Sequence, residues 1–163
     1  MRRLTFNLLA LSSAAWLSAC QTTSQFPTPT DSWASHTGQL QSSGAGKSVI
    51  GEVVVRHDTS QHLQLSFASG PGFPLLKLWM DGEMMRAEGV LARGEWQGRI
   101  SAAPPRLQVW AQLPAAFAAV SPSRPAIEKA EYSAQAEYQS GRLARLQVRD
   151  GKSSERLTFV FAR

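Results

Sequence analysis

Three histidines are the residues of this chain whose chemistry best suits metal binding or acid–base catalysis. His57 and His62 lie close together with Asp58 between them, whereas His36 stands apart. Imidazole and carboxylate groups at such short spacing could hold a zinc ion. Asp and His at a hairpin tip are more often solvated turn residues, so we expect no metal site and no cofactor.

Other residues that could do chemistry give weaker signals. Glu83, Glu88 and Glu95 could supply paired carboxylates for glycoside hydrolysis, but nothing in their spacing singles them out. The sequence contains no Gly-x-Ser-x-Gly elbow that would present a nucleophilic serine. The triplet at 46–48 is Gly-Lys-Ser, but Gln41 stands where a phosphate-binding loop needs glycine. We therefore expect that the protein is not an enzyme.

Cys20 is the only cysteine, and it follows a segment with the features of a secretory signal. Residues 1–19 combine two arginines with an apolar stretch shorter than the roughly 20 residues of a membrane span. The tetrapeptide Leu-Ser-Ala-Cys at 17–20 resembles the lipobox of bacterial lipoproteins. That resemblance implies cleavage before Cys20 and acyl chains, such as palmitate, on its sulfur. Because Gln21 follows instead of Asp, it also implies the periplasmic face of the outer membrane.

Composition limits the possible partners of the chain and its division into domains. The formal charge of +5 includes Arg2 and Arg3, and the other basic residues are scattered, so we expect no nucleic-acid binding. Residues 20–32 are rich in Gln, Thr, Ser and Pro, which predicts a flexible tether behind the lipidated cysteine. Residues 33–163 are long enough for one domain with a hydrophobic core. We expect this domain to act as a monomer.

Alternating apolar and polar residues predict an antiparallel β-meander. A loop at 42–46 precedes the first predicted strand, and a short helical segment begins after Pro105 and is ended or kinked by Pro114. The predicted strands cover 49–56, 63–67, 75–80, 84–91 and 95–101 before the helix, and 131–138, 146–148 and 157–161 after it. The fold class is therefore mainly β, with about eight strands in one sheet.

Such a sheet must bury its apolar face, either by closing into a barrel or by curving under the helix. In both cases the concave side can hold a ligand. Four strand residues that share the apolar faces are candidates to line it: Val53, Val55, Leu65 and Phe67. A cluster of Trp and Met residues in the middle of the chain fits either ordinary core packing or an adaptable apolar cavity.

The loop at 70–76 places apolar residues next to two glycines and two prolines. If exposed, Phe73, Leu75 and Leu76 could contact a membrane or an incoming acyl chain. The alternative is that these residues pack under the sheet.

Several of these features together resemble the outer-membrane lipoprotein receptor LolB and the LolA/LolB family of lipoprotein localisation factors. They are the lipobox, the tether, Trp33-x-x-His36-x-x-x-Leu40, the Pro/Gly loop before an apolar strand, and Trp110-x-x-Leu113-Pro114. The resemblance implies a half-open barrel, in which a curved antiparallel sheet and a helical lid enclose a cavity for lipoprotein acyl chains. It also implies that Trp79, Trp96 and Trp110 line the cavity or hold the lid, and that the Phe73 loop delivers cargo.

The resulting prediction is a lipid-anchored outer-membrane protein with a LolB-like role in lipoprotein transport. Its partners would be the membrane, reached through Cys20, an acyl-chain or lipoprotein ligand, and a periplasmic carrier. Two other functions remain open: a structural or interaction lipoprotein with a filled core, and, less favoured, an envelope hydrolase.

Overall fold

The computed structural model of the protein describes residues 26–162 and contains one antiparallel sheet of ten strands. The strands are β1 (Ala34–Gly44), β2 (Lys47–His57), β3 (Leu63–Ala68), β4 (Pro74–Met80), β5 (Met84–Gly89), β6 (Gly94–Arg99), β7 (Ala126–Glu128), β8 (Tyr132–Gln139), β9 (Arg142–Asp150) and β10 (Arg156–Phe161). Their order in the sheet is β6-β5-β4-β3-β2-β1-β10-β9-β8-β7, so the sheet is unclosed and β6 and β7 are its edges. The predicted mainly β, antiparallel fold is confirmed at this level.

The sheet has two strands more than the sequence predicted. β1 pairs with both β2 and β10 and therefore lies near the centre of the sheet, and the three-residue β7 forms one edge. The loop predicted at 42–46 is shorter than expected, because β1 continues to Gly44. The turn consists of Ala45 and Gly46, both with positive φ, as in the two-residue hairpins that match strand twist.

The predicted tether and anchor lie mostly outside the described residues. Phe26 to Thr30 carry no helix or strand, and Trp33 N–H donates a hydrogen bond to the Thr30 carbonyl. Cys20 and the signal segment at 1–19 lie outside the described part of the chain.

Two short helices connect the two halves of the sheet. They are α1 (Gln108–Ala111) and α2 (Leu113–Ala119), and two 3-10 turns precede them, Ile100–Ala102 and Pro105–Leu107. Pro114 lies in the first turn of α2. Backbone N–H groups in a first turn have no partner within the helix, so proline costs no hydrogen bond there. Neither helix has a side-chain cap, so burial holds them in place. No helix within residues 26–162 is long and apolar enough to cross a bilayer.

One face of the sheet, here called the inner face, carries the core. Alternate residues of each strand point to it, which makes Val53, Val55, Leu65, Phe67 and Phe159 almost fully buried. The helices pack on this face, and Trp110 lies 6.1 Å from Phe67 between ring centroids. The opposite, outer face is polar along most strands.

Glycines allow the central strands to approach closely. A Cβ on Gly38 would lie 2.1 Å from the Val160 carbonyl oxygen, and one on Gly51 would lie 2.0 Å from that of Ala68. Glycines at such positions allow a sheet to bend. The sheet curls around the helices, because residues near both edges, including Arg99 from β6, line one common pocket.

Candidate ligand-binding recess

A recess of about 470 Å³ opens at the end of the sheet where β1 begins and β10 ends. We call it the histidine recess; its main lining residues are His36, His57, Phe117, Tyr138, Arg142 and Phe161. They come from β1, β2, α2, β8, β9 and β10. The centre of the inner face is filled by Trp110, Leu113 and Phe117, so the recess lies beside the core and not inside it.

Two histidines form the polar centre of the recess. His36 and His57 are diagonal neighbours, because Val55 is the β2 partner of His36 and Ala34 is the β1 partner of His57. Their Nε2 atoms are 3.2 Å apart and share a hydrogen bond. One ring must donate and the other accept, so in the neutral pair the accepting ring carries its proton on Nδ1.

Aromatic rings surround this pair. The ring centroid of Phe117 lies 4.6 Å from that of His57, and the ring of Phe161 lies 4.9 Å from that of His36. Phe159 packs below them, 5.7 Å from Phe161. These rings give the recess an aromatic wall that an apolar part of a ligand could contact.

This environment disfavours the charged forms of both histidines. Burial, followed by the nearby His36, lowers the pKa of His57 to about 4, although Asp58 opposes the shift. Burial and the charge of Arg142 lower the pKa of His36. Both rings are therefore neutral at pH 7.

Arg142 lies at the rim of the recess as the first residue of β9. The preceding turn consists of Ser140 and Gly141, both with positive φ, and Gln139 pairs directly with Arg142 across it. This tight turn fixes the point from which the guanidinium group extends. Arg142 lines the same recess as the histidine pair, and its charge helps to lower the pKa of His36.

The third histidine is engaged elsewhere. His62 Nδ1 lies 2.7 Å from Asp58 Oδ2, and the His62 ring stacks on Trp33 at 5.9 Å. Asp58 Oδ1 also accepts hydrogen bonds from the backbone N–H groups of Ser60 and His62, which matches the turn role predicted for Asp58 and His62. The same prediction is wrong for His57, which ends β2 and lies in the recess. Between residues 26 and 162, no three His, Cys, Asp or Glu side chains come together as a ligand set.

Two of the acids considered for hydrolysis are cross-strand partners, Glu88 on β5 and Glu95 on β6. Glu88 and Glu95 both pair with Arg86 on the outer face. Glu83 lies apart from them, in a polar pocket of about 670 Å³ between the two edge regions of the sheet.

The residues predicted to line a cavity are mostly core residues. Val53, Val55, Leu65, Phe67 and Trp110 are at most 2% exposed and pack on the inner face. None of them is among the residues that line the histidine recess.

The two remaining tryptophans differ from each other. Trp96 faces inward near the edge of the sheet, where it is half-buried and pairs with Ala87. Trp79 lies on the outer face, with the Arg86 guanidinium carbon 5.5 Å from its ring. Its assignment to a cavity is therefore corrected: its neighbours in the strand, Leu78 and Met80, are the residues that point inward.

Of the three residues predicted to form a contact loop, one is exposed and two are buried. Phe73 is 57% exposed, because the Ser69–Phe73 turn is closed by its own backbone hydrogen bonds and leaves the ring outside. Leu75 and Leu76 are buried, as in the alternative that these residues pack under the sheet, so the two do not belong to the predicted contact surface. Leu75 occupies a bulge, since Leu76 pairs with Phe67 but Pro74 pairs with Ala68.

Sequence reasoning missed the histidine pair because it missed β1. The inner positions of this strand hold His36 and Gly38 where apolar residues normally mark a strand. The available signal was the polar series Ser35, Thr37 and Gln39, which alternates with period 2 on the outer face.

A comparison of the chain with protein-family models finds no match, and neither does a comparison with curated proteins. The resemblance to the LolB family therefore stays a prediction.

Proposed function

We propose that the protein is a non-enzymatic, lipid-anchored binding protein of the bacterial outer membrane, with a LolB-like role in receiving acyl chains or lipoproteins. The observation that carries this proposal is the histidine recess, whose aromatic wall surrounds a neutral histidine pair. Its volume of about 470 Å³ falls within the range of roughly 300–1,000 Å³ typical of small-molecule sites.

The fold supports this role. An unclosed sheet that curls around α1 and α2 can be described as a half-open barrel with a helical lid. Phe117 of α2 separates the recess from Phe159 in the core below. A small displacement of α2 would deepen the recess along the aromatic wall and admit a longer chain.

The other parts of the proposal come from the sequence. Cys20 would carry the acyl anchor on the periplasmic face, and the domain would act as a monomer that meets a periplasmic carrier. Exposed Phe73 would contact the membrane or the cargo. This loop lies at the end of the sheet opposite the recess, because β3 runs from the level of His57 toward Glu52 on β2.

Uptake of a dansyl-labelled fatty acid by the full-length protein tests the proposal. Leu143 lines the recess, so Leu143→Trp should fill it and abolish the fluorescence increase. Ile50→Trp is the matched control, because Ile50 is exposed and does not line the recess. Absence of uptake by the unmodified chain, or equal uptake by both variants, would reject binding in the recess.

A second candidate is a structural or interaction lipoprotein with a filled core. It is favoured by the dense packing of Trp110 and Leu113 on the inner face. Failure of the unmodified chain to take up the fatty acid would support this candidate.

A further inference from the structure

Arg142 gives the histidine recess its charge. No other residue lining the recess, within the part of the chain that the structure describes, carries a permanent charge. Tyr138 also lines it, and burial raises the pKa of this phenol, so it is neutral at pH 7. The Asp58 carboxylate lies nearby but turns to His62 and to backbone N–H groups.

Arg142 also lacks an acidic partner among residues 26–162. Arg86 pairs with two glutamates, and Arg145, three positions along β9, pairs with Glu137. An arginine without a partner at the rim of a pocket with an aromatic wall can offer its guanidinium group to a carboxylate or phosphate.

The apolar surface continues on both sides of Arg142. A second pocket of about 560 Å³ shares Arg142, Leu143 and Phe161 with the recess and extends to the exposed Val160. A ligand with its charged end at Arg142 could therefore lay a chain along either wall.

We infer that the histidine recess binds a single-chain amphiphile with an anionic head, which pairs with Arg142 while its chain packs against Phe117 and Phe161. This inference rests on the proposed function and adds the charge of the ligand to it. The head could be a fatty-acid carboxylate or a phosphate monoester, since both present oxygens that arginine binds through two N–H groups.

Isothermal titration calorimetry at pH 7.5 with three ten-carbon probes tests the inference: decanoate, decyl phosphate and decanol. Because Arg142 is exposed, its ion pair should strengthen binding of each anion over decanol by about fivefold. Arg142→Gln should remove this preference and leave decanol binding unchanged, whereas Arg142→Lys should keep part of it. A preference for one anion over the other identifies the head group.

Arg145→Gln is the matched control, because it removes a charge from the same strand without touching the recess, and it should keep the preference. Equal binding of all three probes, or a preference that survives Arg142→Gln, would overturn the anionic head while leaving chain binding in place. If no probe binds, the proposed function fails together with this inference.

Discussion

At the scale of single residues, one proton lies between the Nε2 atoms of His36 and His57 in their hydrogen bond. Burial lowers the pKa of His57 from 6.5 to about 4 in the folded protein. The unfolded chain therefore takes up a proton at a higher pH than the folded one. The stability contributed by the neutral ring is complete above pH 6.5 and is lost as the pH falls toward 4.

Acidification from pH 7.5 to 5.0 should consequently lower the free energy of unfolding by about 2 kcal/mol. Replacement of the ring by His57→Phe should make this loss clearly smaller, because the titrating group is gone. Urea unfolding of both proteins at the two pH values measures the difference.

His62→Gln controls for a general effect of removing a histidine, since His62 lies outside the recess. It should retain the acid-induced loss. In the unmodified chain burial raises the pKa of Asp58, but hydrogen bonds from His62 and Ser60 outweigh it and hold this pKa below 3.8. The variant keeps the two backbone hydrogen bonds to this carboxylate. An unchanged acid-induced loss in His57→Phe would contradict the assignment.

Residue type alone could not reveal which way each aromatic side chain points. Alternation in Leu63, Leu65 and Phe67 correctly indicated one buried face. In β4, successive apolar residues hid the alternation, and Trp79 proved to be the outward one. Its ring packs against a charged side chain, a contact that no local pattern encodes.

At the scale of elements, the turn from Ser69 to Phe73 illustrates what a pattern can and cannot show. Its glycines and prolines predicted a turn, and the structure contains one. The bulge at Leu75 depends on pairing with β3, so the sequence left open which of the three apolar residues is exposed.

Two substitutions distinguish the exposed residue of this loop from the buried ones. Phe73→Glu should leave the urea midpoint almost unchanged, because the side chain is exposed, but it should weaken binding to phospholipid vesicles. Leu76→Glu should unfold the domain, because it buries a charge without a partner. Equal effects on stability would contradict the placement of the loop, and unchanged vesicle binding by Phe73→Glu would contradict its proposed contact role.

At the scale of the whole molecule, the curl of the sheet depends on close contact between central strands. The expected antiparallel meander and helical segment were readable from periodicity, because each strand packs one face on the core. The central position of β1 and its pairing with β10 were not, since long-range pairing leaves no local signature.

Gly51→Ala tests the close approach of β2 to the end of β3. Its Cβ would overlap the Ala68 carbonyl oxygen, so we expect a loss of about 1–3 kcal/mol in the free energy of unfolding. Gly70→Ala is the control, because open space surrounds that position. Similar urea midpoints for the two variants would show that β2 and β3 can move apart without loss of stability.

The pairing of β1 with β10 brings the beginning of one strand and the end of the other to the same pole of the domain, beside the recess. The thirteen positions 20–32 could extend at most about 45 Å. Phe73 follows β3, whose last residue is level with Glu52 on β2, so only about 17 Å separates its level from that of His57 in the recess. A domain anchored through Cys20 could therefore present either the recess or the Phe73 ring to the bilayer, and the anchor alone would not choose between loading and delivery.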